Sequence, residues 1–255
     1  MKVLLTLLTA VLLAAPARAE DGQKLLRVLS WSIHHGEGVD GKQDMARIAA
    51  VIQAQEPDVV ILQEVDNHCK RSGSIDQTAE LARLTSFQSV FAKAGDIDGG
   101  ESGQAILSRF PLSDLKIHHL PGEGEPRIAI SAQADTPFGP VTVAGIQLDY
   151  ADPVRQLVQA QVASAALLAV SLNPLVLAGD FSASPESKTL AVFAQAPWLV
   201  VPKSSPAIAT VSDKPSREND FTVIRGLKVL KPTLVVAETT ASDHRPILTV
   251  CTKPE

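Results

Sequence analysis

Polar side chains that bind cations or move protons recur at the ends of short apolar segments in this 255-residue chain. Asp180, for example, closes the apolar stretch "LVLAGD". A single aspartate in that position is typical of a turn. Comparable positions are occupied by Glu64, Gln147, Asp180, Asp220 and the pair Asp243-His244. Because oxygen ligands suit hard cations, this set predicts a site for Mg²⁺ or Mn²⁺, with Ca²⁺ as an alternative, rather than for Zn²⁺.

The apolar segments have the length and the flanking residues of β-strands. They cover residues 27–33, 58–64, 104–108, 128–134, 141–148, 175–179, 221–224, 233–237 and 246–250. Helical spacing of apolar residues covers 44–55, 76–85 and 153–172. This mixture predicts an α/β or α+β domain built on packed sheets. In such domains ligands gather at strand ends, because loops converge there while the scaffold stays rigid.

The first 19 residues have the pattern of a secretory signal peptide, with Lys2, an apolar run and a small residue at Ala19. The apolar run is shorter than the roughly 20 residues that a membrane anchor needs. We therefore expect export to the periplasm or the extracellular space. We also expect no transmembrane segment and a single domain over residues 20–255.

The net charge of the chain is −5, and removal of Lys2 and Arg18 with the signal peptide makes the remainder more acidic. Proteins that bind long nucleic acids usually carry an excess of basic residues, which neutralise the phosphates. The acidic balance therefore argues against long DNA or RNA as a partner and favours a small substrate.

Several short motifs follow one another in a fixed order along the chain. They are "SWSIHHGEG", "PDVVILQEVD", "GQAILSRFPL", "IQLDY", "LAGDFSASP", "NDFTVI" and "SDHRP". As an ordered set they resemble the endonuclease/exonuclease/phosphatase superfamily, and within it the bacterial secreted metal-dependent hydrolases. The resemblance extends over residues 26–251. It implies an α/β fold, a four-layer α/β sandwich of two packed, mainly antiparallel sheets flanked by helices.

The resemblance also implies a role for each matched position. The expected metal-binding residues are Glu64, Asp243 and Ser32. The expected catalytic residues are Asp180, His244, Asp220, Gln147 and Ser182. The expected substrate-binding residues are Arg71, Arg127 and His34. In relatives, the aspartate at position 180 orients or deprotonates the attacking water, the histidine at 244 contacts the phosphate, and the aspartate at 220 orients that histidine.

Three positions depart from the pattern of the superfamily. Ser32 and Ser182 stand where it has asparagine, and Gln147 stands where it has histidine. A serine hydroxyl is shorter than an asparagine amide and offers fewer donors, and glutamine cannot become cationic. The loss of one preorganised donor typically lowers a rate by ~10²–10³.

Two functions therefore remain open from the sequence. The first is a divalent-metal-dependent phosphoester hydrolase, attenuated by these changes, that acts on a small phosphodiester, a phosphomonoester or a lipid head group. The second is a catalytically degenerate protein that keeps the fold and binds phosphate or another ligand. In either case we expect a monomer with a small phosphorylated ligand.

Two further pairs of residues raise questions of geometry. If His34 and His35 lie in a strand, they point to opposite faces, so only one of them faces the site. The fold implied by the resemblance places Cys69 near the site, and Cys251 seven residues beyond His244 on a strand that leads away from it. That separation is roughly 20 Å, so we expect no disulfide.

Overall fold

The computed structural model describes residues 24–170, 174–204, 209–212, 214 and 217–254. The predicted signal peptide, residues 1–19, lies outside the described residues. The described strands form two six-stranded sheets. Over the same residues, no helix has the length and apolar character required to cross a membrane.

The first sheet has the strand order β11-β12-β1-β2-β4-β3. Its strands are β1 (Leu26–Ser32), β2 (Val59–Asn67), β3 (Gln88–Ile97), β4 (Gly100–Ser108), β11 (Lys228–Val235) and β12 (Ile247–Thr252). The pair β1 and β2 is parallel, and the other neighbours are antiparallel. Helices α1 (Met45–Ala54) and α2 (Gln77–Thr85) accompany this sheet.

The second sheet has the order β5-β6-β7-β8-β10-β9. Its strands are β5 (Leu112–Leu120), β6 (Arg127–Thr136), β7 (Gly139–Gln147), β8 (Leu175–Asp180), β9 (Leu199–Val200) and β10 (Asp220–Arg225). Again one central pair, β7 and β8, is parallel and the rest are antiparallel. Helices α3 (Pro153–Val170) and α4 (Lys188–Ala191) accompany this sheet.

Four layers result from how the apolar residues are distributed. Val28, Ile61, Ile130, Val143 and Val176 belong to one buried cluster between the sheets. A second cluster joins the first sheet to α1 and α2, and a third joins the second sheet to α3 and α4. The predicted four-layer α/β sandwich with mainly antiparallel sheets is therefore confirmed.

The two parallel pairs place the polar strand ends together. A parallel pair needs a crossover, and α1 and α3 supply one in each sheet. The carboxyl ends of β1 and β2 therefore share one edge of the first sheet, and those of β7 and β8 share one edge of the second. Both edges contribute side chains to the site described below.

Strands β3 and β5 are absent from the segments predicted from the sequence. Both are edge strands, and most of their residues are partly or fully exposed. The continuous apolar pattern that marks a central strand is therefore missing. The prediction about the cysteines is confirmed, since Cys69 and Cys251 are both buried and both free.

Candidate active site

Glu64 enters the site through a local irregularity in β2. The register between β2 and β4 shifts between Leu62 and Val65, and Glu64 has a left-handed backbone with φ 57°. An inserted residue of this kind redirects a side chain at the end of a strand. The carboxylate meets the second sheet, where Gln147 Nε2 donates a hydrogen bond of 2.7 Å to Glu64 Oε1.

Asp180 lies at the end of β8, beside Gln147 of β7 and opposite Asp220 of β10. Its side chain is only 5% exposed. Ser182 holds it twice: the Ser182 backbone N–H donates to Asp180 Oδ1 over 2.6 Å, and the Ser182 hydroxyl lies 3.1 Å from Asp180 Oδ2. These contacts fix the carboxylate at the end of the strand, and they require Ser182 in a left-handed conformation with φ 49°.

His244 forms a buried pair with Asp220, with 2.9 Å between His244 Nδ1 and Asp220 Oδ2. The backbone around the histidine is also fixed, because Trp31 Nε1 donates to the His244 carbonyl oxygen over 2.8 Å. Because Nδ1 is engaged by Asp220, only Nε2 of the imidazole is left to meet a ligand. The predicted orienting role of Asp220 agrees with this geometry.

Ser242 is a residue of the site that the sequence reasoning missed. Its buried hydroxyl donates to the Ser32 carbonyl oxygen over 2.7 Å and accepts from the His244 backbone N–H over 3.1 Å. The same oxygen lies 3.2 Å from Asp243 Oδ1. Ser242 thus ties the end of β1 to the loop that carries Asp243 and His244. The motif "SDHRP" contains it, but a neutral serine gave no separate signal.

The charged groups lie close enough to change one another's protonation. Burial, with the charge of Asp243 as the second cause, raises the pKa of Glu64. Burial, opposed by His244 and assisted by the charge of Asp220, raises the pKa of Asp180 to about 7. Burial alone lowers the pKa of His244, but the charge and hydrogen bond of Asp220 outweigh it and raise that pKa well above the usual value. The predicted meeting of distant residues at one site is therefore present in the structure.

A comparison of the sequence with protein-family models matches residues 29–244 to the Endonuclease/Exonuclease/phosphatase family. The chain belongs to this family. Among curated proteins, no sequence matches significantly.

Several solved structures share the fold. An endonuclease/exonuclease/phosphatase from Beutenbergia cavernae has a TM-score of 0.77 and 24% identity, covering 91% of this chain and 72% of that one. The human Nocturnin catalytic domain with bound sulfate has a TM-score of 0.72 and 19% identity, covering 92% and 96%. A mannosyl-6-phosphatase from Bacteroides thetaiotaomicron has a TM-score of 0.71 and 16% identity, covering 89% and 99%. At these identities the similarity establishes the shared fold alone.

In this family member the two histidines after β1 do not lie in a strand, so the expectation that they point to opposite faces is wrong. His34 and His35 form a tight 3-10 turn with Gly36, and both have left-handed φ angles, 46° and 43°. Their ring centroids are 4.3 Å apart. A turn of this kind does not alternate its side chains as a strand does. His34 acts electrostatically on Glu64 and lowers the pKa of that carboxyl, which places His34 near the site.

The two predicted substrate-binding arginines differ in how they are held. Arg71 forms a two-point ion pair with buried Asp66, at 2.7 and 2.8 Å, so much of its charge is already matched. Arg127 is 6% exposed and pairs with Glu125 at 2.9 Å. Its Nε is buried and, among the described residues, has no hydrogen-bond partner. Arg127 also acts electrostatically on Glu64, so it has both an open donor and a place beside the site.

The site's donors are suited to a hard divalent cation. The Ser32 hydroxyl is fully buried and finds no partner among the described residues, and Asp243 acts as a second negative charge on Glu64. The described residues form no cluster of three or more histidine, cysteine or acidic ligands. Mg²⁺ does not need one, since it keeps several waters and binds through one or two carboxylates. The residues present therefore fit such an ion.

Proposed function

We propose that this member of the family is a divalent-metal-dependent phosphoester hydrolase. The observation that carries the proposal is the convergence of Glu64, Asp180 and the His244–Asp220 pair at adjoining edges of the two sheets. These groups supply a metal-binding carboxylate, a buried base and a cationic hydrogen-bond donor. Metal-dependent hydrolysis of a phosphoester can use groups of these three kinds.

In the proposed reaction Glu64, Asp243 and Ser32 would hold the metal ion. When bound, Mg²⁺ or Mn²⁺ polarises the phosphoryl group as a Lewis acid. Gln147 holds one oxygen of Glu64 and so positions the carboxylate that would bind the metal. In this role Gln147 positions Glu64, whereas the resemblance placed Gln147 among the catalytic residues.

Asp180 acts as the base that orients the attacking water and accepts its proton. Its pKa of about 7 suits this task, because a base works best when its pKa lies near the working pH. Ser182 keeps the carboxylate in place. His244 stays protonated because of Asp220, and it donates from Nε2 to a phosphate oxygen whose negative charge grows in the transition state.

The remaining proposals concern substrate binding, the oligomeric state and the location of the protein. Arg127 and His34 are proposed to bind the anionic part of the substrate, with Arg71 contributing from the rim. The acidic chain favours a small phosphodiester, a phosphomonoester or a lipid head group over long nucleic acid. We propose that the protein is a monomer exported to the periplasm or the extracellular space, as the pattern of residues 1–19 indicates.

A second candidate is a binding protein that retains the fold with little turnover. It is favoured by the same three positions, Ser32, Ser182 and Gln147, where the family's longer or cationic side chains are missing. The structure adds one observation in its support. One N–H of the Gln147 amide is engaged by Glu64, so at most its second N–H is left to donate where the family has a histidine.

Hydrolysis of bis-p-nitrophenyl phosphate and p-nitrophenyl phosphate, with Mg²⁺, Mn²⁺ or EDTA, tests the proposal. The hydrolase predicts metal-dependent turnover that Glu64→Gln and Asp180→Asn each reduce by at least ~10². Asp135→Asn makes the same acid-to-amide change at an exposed position of β6 and is expected to keep wild-type activity. Identical background rates in every sample reject the hydrolase. Metal binding by calorimetry without turnover supports the binding protein.

A further inference from the structure

A cleft of about 1080 Å³ opens beside the proposed active site, between α4 with the loop before it and the strands β9 and β10. Ser182 belongs to both, because it lines the cleft and contacts the Asp180 carboxylate at 3.1 Å. The cleft therefore adjoins the place where a phosphate next to Asp180 would bind.

The walls of the cleft are mainly apolar. Leu190, Ala191, Ala194, Val200, Val201 and Phe221 line it. The wall also contains a buried cation, Lys203, whose side chain is 3% exposed. Its charge is already matched, because its Nζ lies 3.0 Å from Glu218 Oε2 and 3.6 Å from the Phe221 ring centroid. Glu186 and Arg217 also line the cleft, and both are exposed residues. The interior is thus suited to an apolar group rather than to a second anion.

The stereochemistry of hydrolysis decides which part of a substrate lies there. In an in-line displacement, water attacks from one side of phosphorus and the leaving group departs on the opposite side. The proposed base, Asp180, is on the side of the cleft, so the leaving group points away from it. The substituents that stay on phosphorus lie around this axis, so a group that occupies the cleft is a retained ester, and only a phosphodiester has one.

We propose that this cleft binds the retained, apolar alcohol group of a phosphodiester. The inference rests on the proposed function, which sets the direction of attack. Water forms the new P–O bond and gives its proton to Asp180, while the P–O bond to the leaving group breaks and the departing oxygen takes a proton from solvent water. The products are the protonated leaving group and a phosphomonoester whose apolar group lies in the cleft. Substrates with an apolar alcohol, such as a lipid-like or aryl group, belong to this class.

The test uses alkyl p-nitrophenyl phosphates whose retained group is methyl, butyl or octyl, with Mg²⁺ present. A fully buried methylene raises affinity roughly fourfold. We expect kcat/KM to rise at least ~10-fold from methyl to butyl. Ala194→Trp fills the cleft from an exposed position of its wall and is expected to bring the butyl-to-methyl ratio close to one. Ala169→Trp, on the exposed face of α3, is the matched control and is expected to keep the wild-type ratio.

A binding measurement separates failure of this inference from failure of the proposed function. Calorimetry compares butyl phosphate with methyl phosphate on the wild type and on Ala194→Trp. Turnover of all diesters at equal kcat/KM overturns the cleft assignment and leaves the hydrolase intact. Binding that is at least ~10-fold tighter for butyl phosphate, lost in Ala194→Trp, supports the cleft even if no ester is hydrolysed. If this binding preference is found and no ester is hydrolysed, the hydrolase proposal is overturned.

Discussion

Gln147 Nε2 and Glu64 Oε1 are 2.7 Å apart, and this hydrogen bond joins the two sheets at the proposed active site. The amide is neutral, so it positions the carboxylate without matching its charge. Burial and the charge of Asp243 meanwhile disfavour the ionised form of Glu64 and raise its pKa. His244, His34 and Arg127 offset these effects only in part, since the pKa of Glu64 remains raised, and a bound cation would stabilise the ionised carboxylate.

Replacement of Gln147 by glutamate tests this relationship. Gln147→Glu keeps the size of the side chain but turns the donor into a third acidic group beside Glu64 and Asp243. We expect the free energy of unfolding in EDTA to fall by about 1–3 kcal/mol, and Mg²⁺ to raise the melting temperature more than it does in the wild type. Thermal unfolding with EDTA and with Mg²⁺ measures both effects.

The matched control for this change is Gln88→Glu, at an exposed position of β3. It adds the same charge away from the site and is expected to leave both melting temperatures near those of the wild type. Destabilisation of Gln147→Glu without recovery in Mg²⁺ contradicts the interpretation.

Much of the fold was predictable because its central strands are buried on both faces. Segments such as 58–64 and 175–179 are short, apolar and rich in valine, leucine and isoleucine, as buried strands are. The edge strands β3 and β5 were not predicted, since their half-exposed residues lack that pattern. The positions of acidic residues at strand ends also indicated which of them lie together, because the carboxyl ends of both parallel pairs are at the site.

The details of the site depend on backbone geometry that the sequence does not reveal. Glu64 is redirected by a register shift in β2, and the His34-His35 pair adopts left-handed angles that residue type alone does not indicate. Neither feature follows from strand periodicity. The partner of Gln147 could not be predicted either, since Glu64 is on the other sheet and contact between sheets depends on how they pack.

Asp220→Asn tests the role of the buried pair. The raised pKa of His244 depends on the charge of Asp220, and burial alone favours neutral imidazole. We expect the variant to lose ~10²–10³ in kcat, because a neutral His244 donates less strongly to the phosphate. We expect the activity of the variant to fall as pH rises near neutrality, because its His244 loses a proton there. The wild type is expected to lack this fall, because its His244 stays protonated to alkaline pH.

His244→Gln is the control for that pH–rate profile, because it has no titrating imidazole and is expected to lose activity without the fall near neutrality. In the His244→Gln background, Asp220→Asn is expected to add little further loss, because the two residues act as a unit. Equal and additive losses in both backgrounds contradict the assignment of Asp220 as a positioning residue.

Asp180 makes the stability of the metal-free protein depend on pH. Burial raises its folded pKa to about 7, against about 4 in an unfolded chain. Between these values the folded state holds a proton that the unfolded state releases, so the free energy of unfolding falls as pH rises from about 4 to 7. Asp180→Asn removes this dependence, and we expect it to raise the free energy of unfolding at pH 8 by roughly 1–4 kcal/mol.

Urea unfolding in EDTA at several pH values measures the effect on stability. In the wild type, activity is expected to follow the opposite course and to rise through the same range, because the base must be ionised. Asp180→Asn therefore gains stability while losing turnover. A variant that unfolds with the wild-type pH dependence contradicts the assignment of a raised pKa to Asp180.

The last test restores the family's side chains at three positions. Its first step is substitution of Ser182. The backbone of Ser182 has φ 49°, a region that asparagine adopts more readily than most residues. Ser182→Asn is therefore expected to leave the free energy of unfolding unchanged or to raise it by a few tenths of a kcal/mol, whereas Ser182→Val, with a β-branched side chain, lowers it. Thermal unfolding of the two variants measures this difference.

The triple variant Ser32→Asn, Ser182→Asn and Gln147→His then addresses turnover. If the missing amides and imidazole limit the rate, kcat rises by ~10² or more, because each preorganised donor contributes at that scale. Gln147→His alone is informative, since it also removes the contact with Glu64 and is expected to weaken metal binding. A triple variant that folds, binds metal and shows no gain over the wild type means that these three positions do not limit the reaction.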